Sequence, residues 1–271
     1  MSVLDIIRKR RSVRSFSGIA LCREDADALM ECAKGADNPY GIPITWKLLD
    51  AKEYGLSSPV IVGTDLYIAG KMQQVPHAEE AFGYSFEKVV LYAESKGIGT
   101  TWIAGTMNRE AFEKAMELSE DEVMPCVSPL GHPAEKMSVR EAMMRKGIKA
   151  DSRAGFGELF FDSSFGVPLD KAKAGGLSDA FEAVRLGPSA VNKQPWRIVL
   201  SGNKAHFYEK QGKGYVSGSS WDIQKIDMGI ALCHFELAAR ESAYELSFEI
   251  CDPGLEVPEG VKYIASFTAK G

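Results

Sequence analysis

Apolar residues recur along this chain at two spacings, three-to-four and two, and the alternation marks helices interleaved with short strands. The clearest helical pattern runs from about Glu79 to Lys96. Phe82, Phe86, Val89, Val90 and Ala93 share a face there, and Gly97 ends it. A second long pattern, Met228 to Tyr244, carries Ile230, Cys233, Phe235, Leu237 and Ala238. Shorter helices are expected at the N-terminus, where Ser2 and Asp5 form a cap pair before Leu4, Ile6 and Ile7, and over 24–34, 109–118 and 177–186. Strands are expected over 46–49, 59–62, 100–103, 123–130, 196–200, 206–209, 246–250 and 262–268. The charged stretch 135–152 reads as an exposed helix or a linker, and Gly212, Gly214 and Gly218 as a flexible hairpin.

The second half repeats the plan of the first. Trp46 faces Trp196 and Gly83 faces Gly229, with offsets that agree within a few residues, so a duplicated domain is expected. The expected halves are 1–153 and 154–271. A chain of 271 residues can bury a sizeable core without disulfides or metals. Its net charge of -5 leaves no basic surplus for a nucleic-acid or anionic-membrane surface. Cysteines 22, 32, 126, 233 and 251 show no CxxC spacing, so no metal site is expected and the thiols read as buried and inert. The N-terminus lacks a long apolar stretch, no run approaches the roughly 20 residues of a membrane span, and the expectation is a soluble, cytoplasmic protein.

Two segments carry candidate chemistry. Arg10-Arg11-Ser12-Val13-Arg14 places three guanidinium groups and a hydroxyl at the exit of a helix. Guanidinium binds phosphate bidentately, and an extended exit brings alternate residues to one face. A solvated basic turn is the simpler reading of charge alone. Gly187-Pro188-Ser189-Ala190-Val191-Asn192-Lys193-Gln194-Pro195-Trp196 is a rigid connection rich in amides and hydroxyls, suited to reading a polar planar ligand. The four histidines form no metal spacing, and no nucleophile motif is present. An enzyme so equipped would depend on a cofactor for its chemistry.

RRSVRSF, GPSAVNKQPW, the long helix ending in KGIGTTWIAG, and LGHPAEK, in that set, resemble the nitroreductase family of FMN-dependent oxidoreductases. Ordinary members carry the arginine motif and the amide loop in one subunit and build two flavin sites between two subunits. Here the arginine motif lies in the first half and the intact loop in the second. The first-half counterpart of the loop has decayed to Asp37-Asn38-Pro39-Tyr40-Gly41-Ile42-Pro43. The chain thus resembles the two-domain subgroup in which one chain mimics the usual dimer. The fold implied is α+β, internally duplicated as a pseudo-dimer of two sheet-plus-helices halves.

The resemblance implies one FMN site. Arg10, Arg11, Ser12 and Arg14 match the positions that hold the phosphate and ribityl end. Pro188, Ser189, Asn192 and Gln194 match the loop that reaches the flavin from the partner subunit. Trp102, Ile103, Ala104 and Gly105 match the strand end lining the ring. Arg153 fits the family's later phosphate arginine, with Lys136 and Arg140 as competitors. The implied activity is NAD(P)H-dependent reduction of a small flat acceptor such as a nitroaromatic or quinone, with no side chain acting as catalytic acid or base. A non-catalytic flavin-binding protein and flavin chemistry of another kind, such as dehalogenation or flavin breakdown, are the alternatives. No nucleic-acid or membrane partner is implied, and a monomer suffices.

Overall fold

In the computed structural model, which describes residues 1–212 and 221–271, the chain forms two compact units. One is Lys9–Ala150. The other combines Met1–Arg8 with Asp151–Gly271. The first eight residues group with the C-terminal segment. Helix α1 (Val3–Lys9) begins on the expected cap pair: Asp5 N–H donates to Ser2 Oγ at 3.1 Å and Ser2 N–H to Asp5 Oδ2 at 3.3 Å. Among the described residues no helix is long and apolar enough to cross a membrane.

The Lys9–Ala150 unit runs α2 (Arg23–Lys34), β1 (Thr45–Asp50), α3 (Ala51–Tyr54), β2 (Leu66–Gln73), α4 (Ala78–Ser95), α5 (Arg109–Ala115), β3 (Glu122–Val123), β4 (Val127–Leu130) and α6 (Val139–Gly147). Its strands pair antiparallel, with β2 receiving β1, β3 and β4. Val13, Phe16, Leu49, Tyr67, Phe112 and Val127 form part of its core. Helix α4 is buried on nearly every face, which accounts for the apolar residues it carries all round.

The second unit runs α7 (Phe156–Leu159), β5 (Phe160–Asp162), α8 (Lys171–Ala174), α9 (Ser178–Leu186), β6 (Trp196–Ser201), β7 (Lys204–Lys210), α10 (Ile223–Glu241), β8 (Glu245–Glu249) and β9 (Val261–Lys270). The sheet order is β5-β6-β7-β9-β8, parallel only between β5 and β6. Phe181, Phe235, Phe207 and Phe267 meet largely edge-to-face between the helices and the sheet. Such contacts add to the area these rings remove from water. The start of α1 belongs here: Val3 N–H donates to both carboxylate oxygens of Glu241 at 3.0 Å.

Both units share an order of helix, strand, antiparallel strand, long buried helix and a returning strand that pairs with the second. Four expectations need correction. Residues 59–62 are not a strand; the strand is β2, whose alternation is obscured by the small residues Ala69 and Gly70 and by Lys71. Residues 100–103 make only isolated bridges, Ser12 to Thr100 and Ile103 to Val127. Pro125 splits 123–130 into two strands. Cys22 and Cys251 are exposed and Cys32 half-buried, leaving only Cys126 and Cys233 as buried thiols. Of the glycine run, Gly214 and Gly218 lie outside the described residues.

Gly63 fixes the path of the segment after the arginine motif. Its φ is +82°, and an added Cβ would stand 2.2 Å from the Phe16 carbonyl oxygen, which is backbone and cannot swing away. The Phe16 N–H bonds Val62 O at 2.9 Å on one side of this contact, and Gly18 N–H bonds Gly63 O at 3.0 Å on the other. We expect Gly63→Ala to destabilise the protein by about 2–4 kcal/mol, combining left-handed strain with overpacking. Thermal unfolding checks it; an unchanged midpoint would show that this turn does not constrain the segment.

Candidate functional site

The arginine motif leaves α1 as extended chain. Val13 N–H donates to Thr100 O at 2.8 Å, and Val62 N–H to Arg14 O at 3.0 Å. Period-two alternation buries Val13 in the core, with 1% of its surface exposed, and turns Ser12 and Arg14 to the opposite side. Glu141 of α6, only 2% exposed, closes under this segment. Its Oε1 accepts from Arg11 Nη1 at 3.1 Å and its Oε2 from the Arg14 amide at 3.2 Å. Arg11 is therefore engaged in holding the turn.

Arg10 and Arg14 are placed differently. Burial holds both guanidinium groups below the ordinary arginine range. Glu87 and Glu94 oppose that shift at Arg10, and Glu141 opposes it at Arg14. Arg145 of α6 adds like charge at both. Nη1 of Arg10 is enclosed and has no hydrogen-bond partner. Clustered, desolvated like charge with an unmet donor is an arrangement that an anion completes. Nothing in the sequence singled out Arg145; the available signal was its i, i+4 spacing from Glu141, which sets both on one helix face.

The segment 102–105 lies in the same unit. Trp102 Nε1 donates to Glu87 Oε2 at 3.1 Å, and its ring meets Phe86 edge-on at 4.7 Å. Ile103 exchanges two backbone bonds of 2.9 Å with Val127. Arg109 pins the turn that follows, donating to Ala104 O at 2.6 Å, Met124 O at 2.7 Å and Pro125 O at 3.0 Å. Arg109 was not foreseen as part of this arrangement. Gly105 is exposed at its end.

Loop 188–194 and Arg153 occupy the other unit. Gln194 N–H donates to Ser189 Oγ at 2.8 Å, and Gln194 Oε1 accepts from the Ala154 amide at 2.9 Å. Asn192 Nδ2 reaches Ser152 O at 3.1 Å. Arg153 donates to Leu186 O at 3.2 and 3.1 Å, to Ser152 O at 2.8 Å and to Asn192 Oδ1 at 3.4 Å, so its guanidinium braces the loop. Of its competitors, Arg140 donates to Pro59 O and Lys136 is exposed. In the loop 37–43, Asn38 donates to Ile42 O at 2.7 Å and to Ser85 Oγ of α4 at 3.2 Å, and accepts from Ile42 N–H at 3.2 Å.

A family model described as "Putative TM nitroreductase" matches residues 2–239. The chain belongs to this nitroreductase family. Among solved structures, it is similar to a "putative nitroreductase" from Thermotoga maritima. That match has a TM-score of 0.65 and 19% identity, and covers 99% of this chain and 93% of that one. It is also similar to an FMN-dependent nitroreductase from Clostridium difficile R20291, at TM-score 0.42 and 16% identity, over 52% of this chain and 94% of that one. No curated protein matches the sequence. The nitroreductase fold that the sequence implied is the fold observed, with Arg10, Arg11, Ser12, Arg14 and 102–105 brought into one unit and Arg153 with Pro188, Ser189, Asn192 and Gln194 into the other.

For this family member, the buried Glu141 gives a prediction on stability. Glu141→Ala leaves Arg11 and the Arg14 amide without their acceptor and should cost about 2–3 kcal/mol. Glu141→Gln keeps an oxygen in place and should recover part of that. Denaturant midpoints measure both; equal losses for the two variants would mean that filling space, not hydrogen bonding, is the contribution of residue 141.

Proposed function

We propose that this chain is an FMN-dependent NAD(P)H oxidoreductase with one flavin site, reducing a small flat acceptor such as a nitroaromatic or quinone. The observation that carries the reading is the enclosed, unpartnered Nη1 of Arg10 within the cluster of Arg10, Arg14 and Arg145. A phosphate monoester supplies the charge and the acceptor oxygens this cluster lacks. Membership of the nitroreductase family and the fold shared with the Thermotoga chain support it.

On this reading Arg10, Ser12 and Arg14 hold the phosphate, Arg145 adds positive potential, and Arg11 keeps the turn in shape through Glu141. Trp102, Ile103, Ala104 and Gly105 line one edge of the ring. Pro188, Ser189, Asn192 and Gln194 are the loop residues proposed to read a flavin, and a monomer suffices. Arg153 is assigned to bracing that loop rather than to the phosphate. Bound FMN would supply two-electron transfer from NAD(P)H to the acceptor. The chain's own part is binding, orientation, exclusion of water and stabilisation of negative charge on the reduced ring. No residue is assigned as general acid or base.

Asn38, whose amide is taken up by Ile42 and Ser85, supports a single site per chain. The purified protein should therefore be yellow, with about one FMN per chain by absorbance and mass spectrometry. NADH consumption should rise when a nitroaromatic is added. Flavin without NAD(P)H oxidation would mark a flavin-binding protein, and two FMN per chain would sink the single-site reading. Arg10→Ala or Arg14→Ala should weaken FMN binding roughly ten- to hundred-fold, from loss of charge-assisted bonds worth about 1.5–3 kcal/mol. Riboflavin lacks the phosphate, so its affinity should fall far less; equal losses would remove the phosphate from this cluster.

A further inference from the structure

Loop 188–194 has a shape that its own sequence resists. Val191, Asn192 and Gln194 have φ of 50°, 57° and 51°, all in the left-handed region. For a β-branched residue such as Val191 that is a marked outlier. Strain of this kind persists only where the surroundings over-determine the backbone. One anchor is the 152–154 segment with Arg153, described above. The other is a single side chain. Asp227 of α10 is 3% exposed, and the Ala190 amide donates to its Oδ1 at 3.0 Å and its Oδ2 at 3.1 Å. Asp227 is flanked by Ile226 and Met228, and no space-filling requirement calls for an acid there.

We propose that Asp227 is the positioning residue of this loop, and that its carboxylate charge holds Ser189 to Gln194 in the left-handed shape that presents them to a ligand. The loop mechanics stand on the contacts just given. The consequence for flavin affinity rests on the function proposed above.

Among the described residues, the charged groups that face Asp227 are themselves acidic: Asp222 at the cap of its own helix and Glu209 on β7. Burial first, then these two, push its carboxyl well above the usual carboxylate range, while the Ala190 amide pulls the other way. Two consequences follow, with opposite signs. The folded-state value is raised above the unfolded one, so the stability linked to this group is fully present below the unfolded value and is lost as pH rises through the folded value. The charge-assisted bond to Ala190 exists only where the carboxyl is ionised, so the loop tightens over that same rise. A side chain that only filled space would produce neither trend.

The test is amide hydrogen exchange of the 186–196 segment in the whole protein, corrected for intrinsic rates, from acidic to alkaline pH. Wild type, Asp227→Asn and Asp227→Ala are compared, with thermal unfolding and FMN titration alongside. Loop protection in wild type should rise with pH while the thermal midpoint falls. In Asp227→Asn, protection should lose its pH dependence and sit about tenfold lower at alkaline pH, with a raised midpoint there. FMN affinity should drop by about the same factor. In Asp227→Ala the loop should be open at every pH. A folded Asp227→Ala with wild-type protection overturns the proposal. If that variant does not fold, an Asp227→Asn that keeps the wild-type pH dependence overturns it instead. Wild type that shows the expected exchange but binds no FMN leaves the anchor standing and removes the flavin reading.

Discussion

A carboxylate taken out of water has to be met by donors, and three buried carboxylates of this chain meet theirs on irregular segments. Glu87 on α4 meets the indole of Trp102. Glu141 on α6 meets Arg11 and the Arg14 amide. Asp227 on α10 meets the Ala190 amide. In each case a helix supplies the acid and an irregular segment supplies the donor. Removing the donor strands a buried charge at a cost of several kcal/mol, so each acid fixes its segment more firmly than packing alone would. Those three segments are the ones that carry the candidate chemistry.

The arrangement explains how a chain of net charge -5 can build a cationic cluster. Overall charge reports on the surface; the local field near Arg10 and Arg14 is set by what is buried beside them. Glu87, Glu94 and Glu141 lower the cost of gathering these guanidinium groups. They do not cancel it, because burial still holds Arg10 and Arg14 below the ordinary range. On the proposed reading, this residual positive charge is what a phosphate would meet. Without the acids the turn would repel itself.

Much of the fold was legible in the sequence because its long helices are strongly periodic. The ends of α2, α4, α9 and α10 fall within a few residues of where apolar spacing put them, apart from an earlier start to α10 at Ile223. What failed has physical causes. Strand β2 is interrupted by Ala69, Gly70 and Lys71, so neither alternation nor an apolar run stood out. The segment 100–103 has strand composition but pairs only through single bridges. Motif residues Arg10, Ser12, Arg14 and the 188–194 loop were visible because their chemistry is local in sequence. Glu141, Arg145 and Asp227 act across tens of residues and Arg109 across as many as 16, and a single sequence carries only faint marks of that. An acid between Ile226 and Met228 was the one such mark for Asp227.

The two asparagine-bearing loops show why one residue type cannot be read for function by its identity alone. Asn38 and Asn192 lie in the loops that lead into the strands β1 and β6. Asn38 closes a turn onto the carbonyl and amide of Ile42, and its Nδ2 also donates to Ser85 Oγ of α4 at 3.2 Å. Asn192 reaches out of its loop to Ser152, while Arg153 donates to its oxygen. The first loop is closed by its own side chain and tied by it to α4. The second combines internal bonds, such as Gln194 N–H to Ser189 Oγ, with outside anchors on α10 at one end and on 152–154 at the other. Those anchors help to hold left-handed backbone at Val191, Asn192 and Gln194. A loop held that way keeps its geometry ready in advance of a ligand, which lowers the ordering cost of binding. Asn38 has already committed its amide to Ile42 and Ser85. On the proposed reading, the outside anchors at both ends of loop 188–194, more than the presence of any one side chain, make it the loop that meets a ligand.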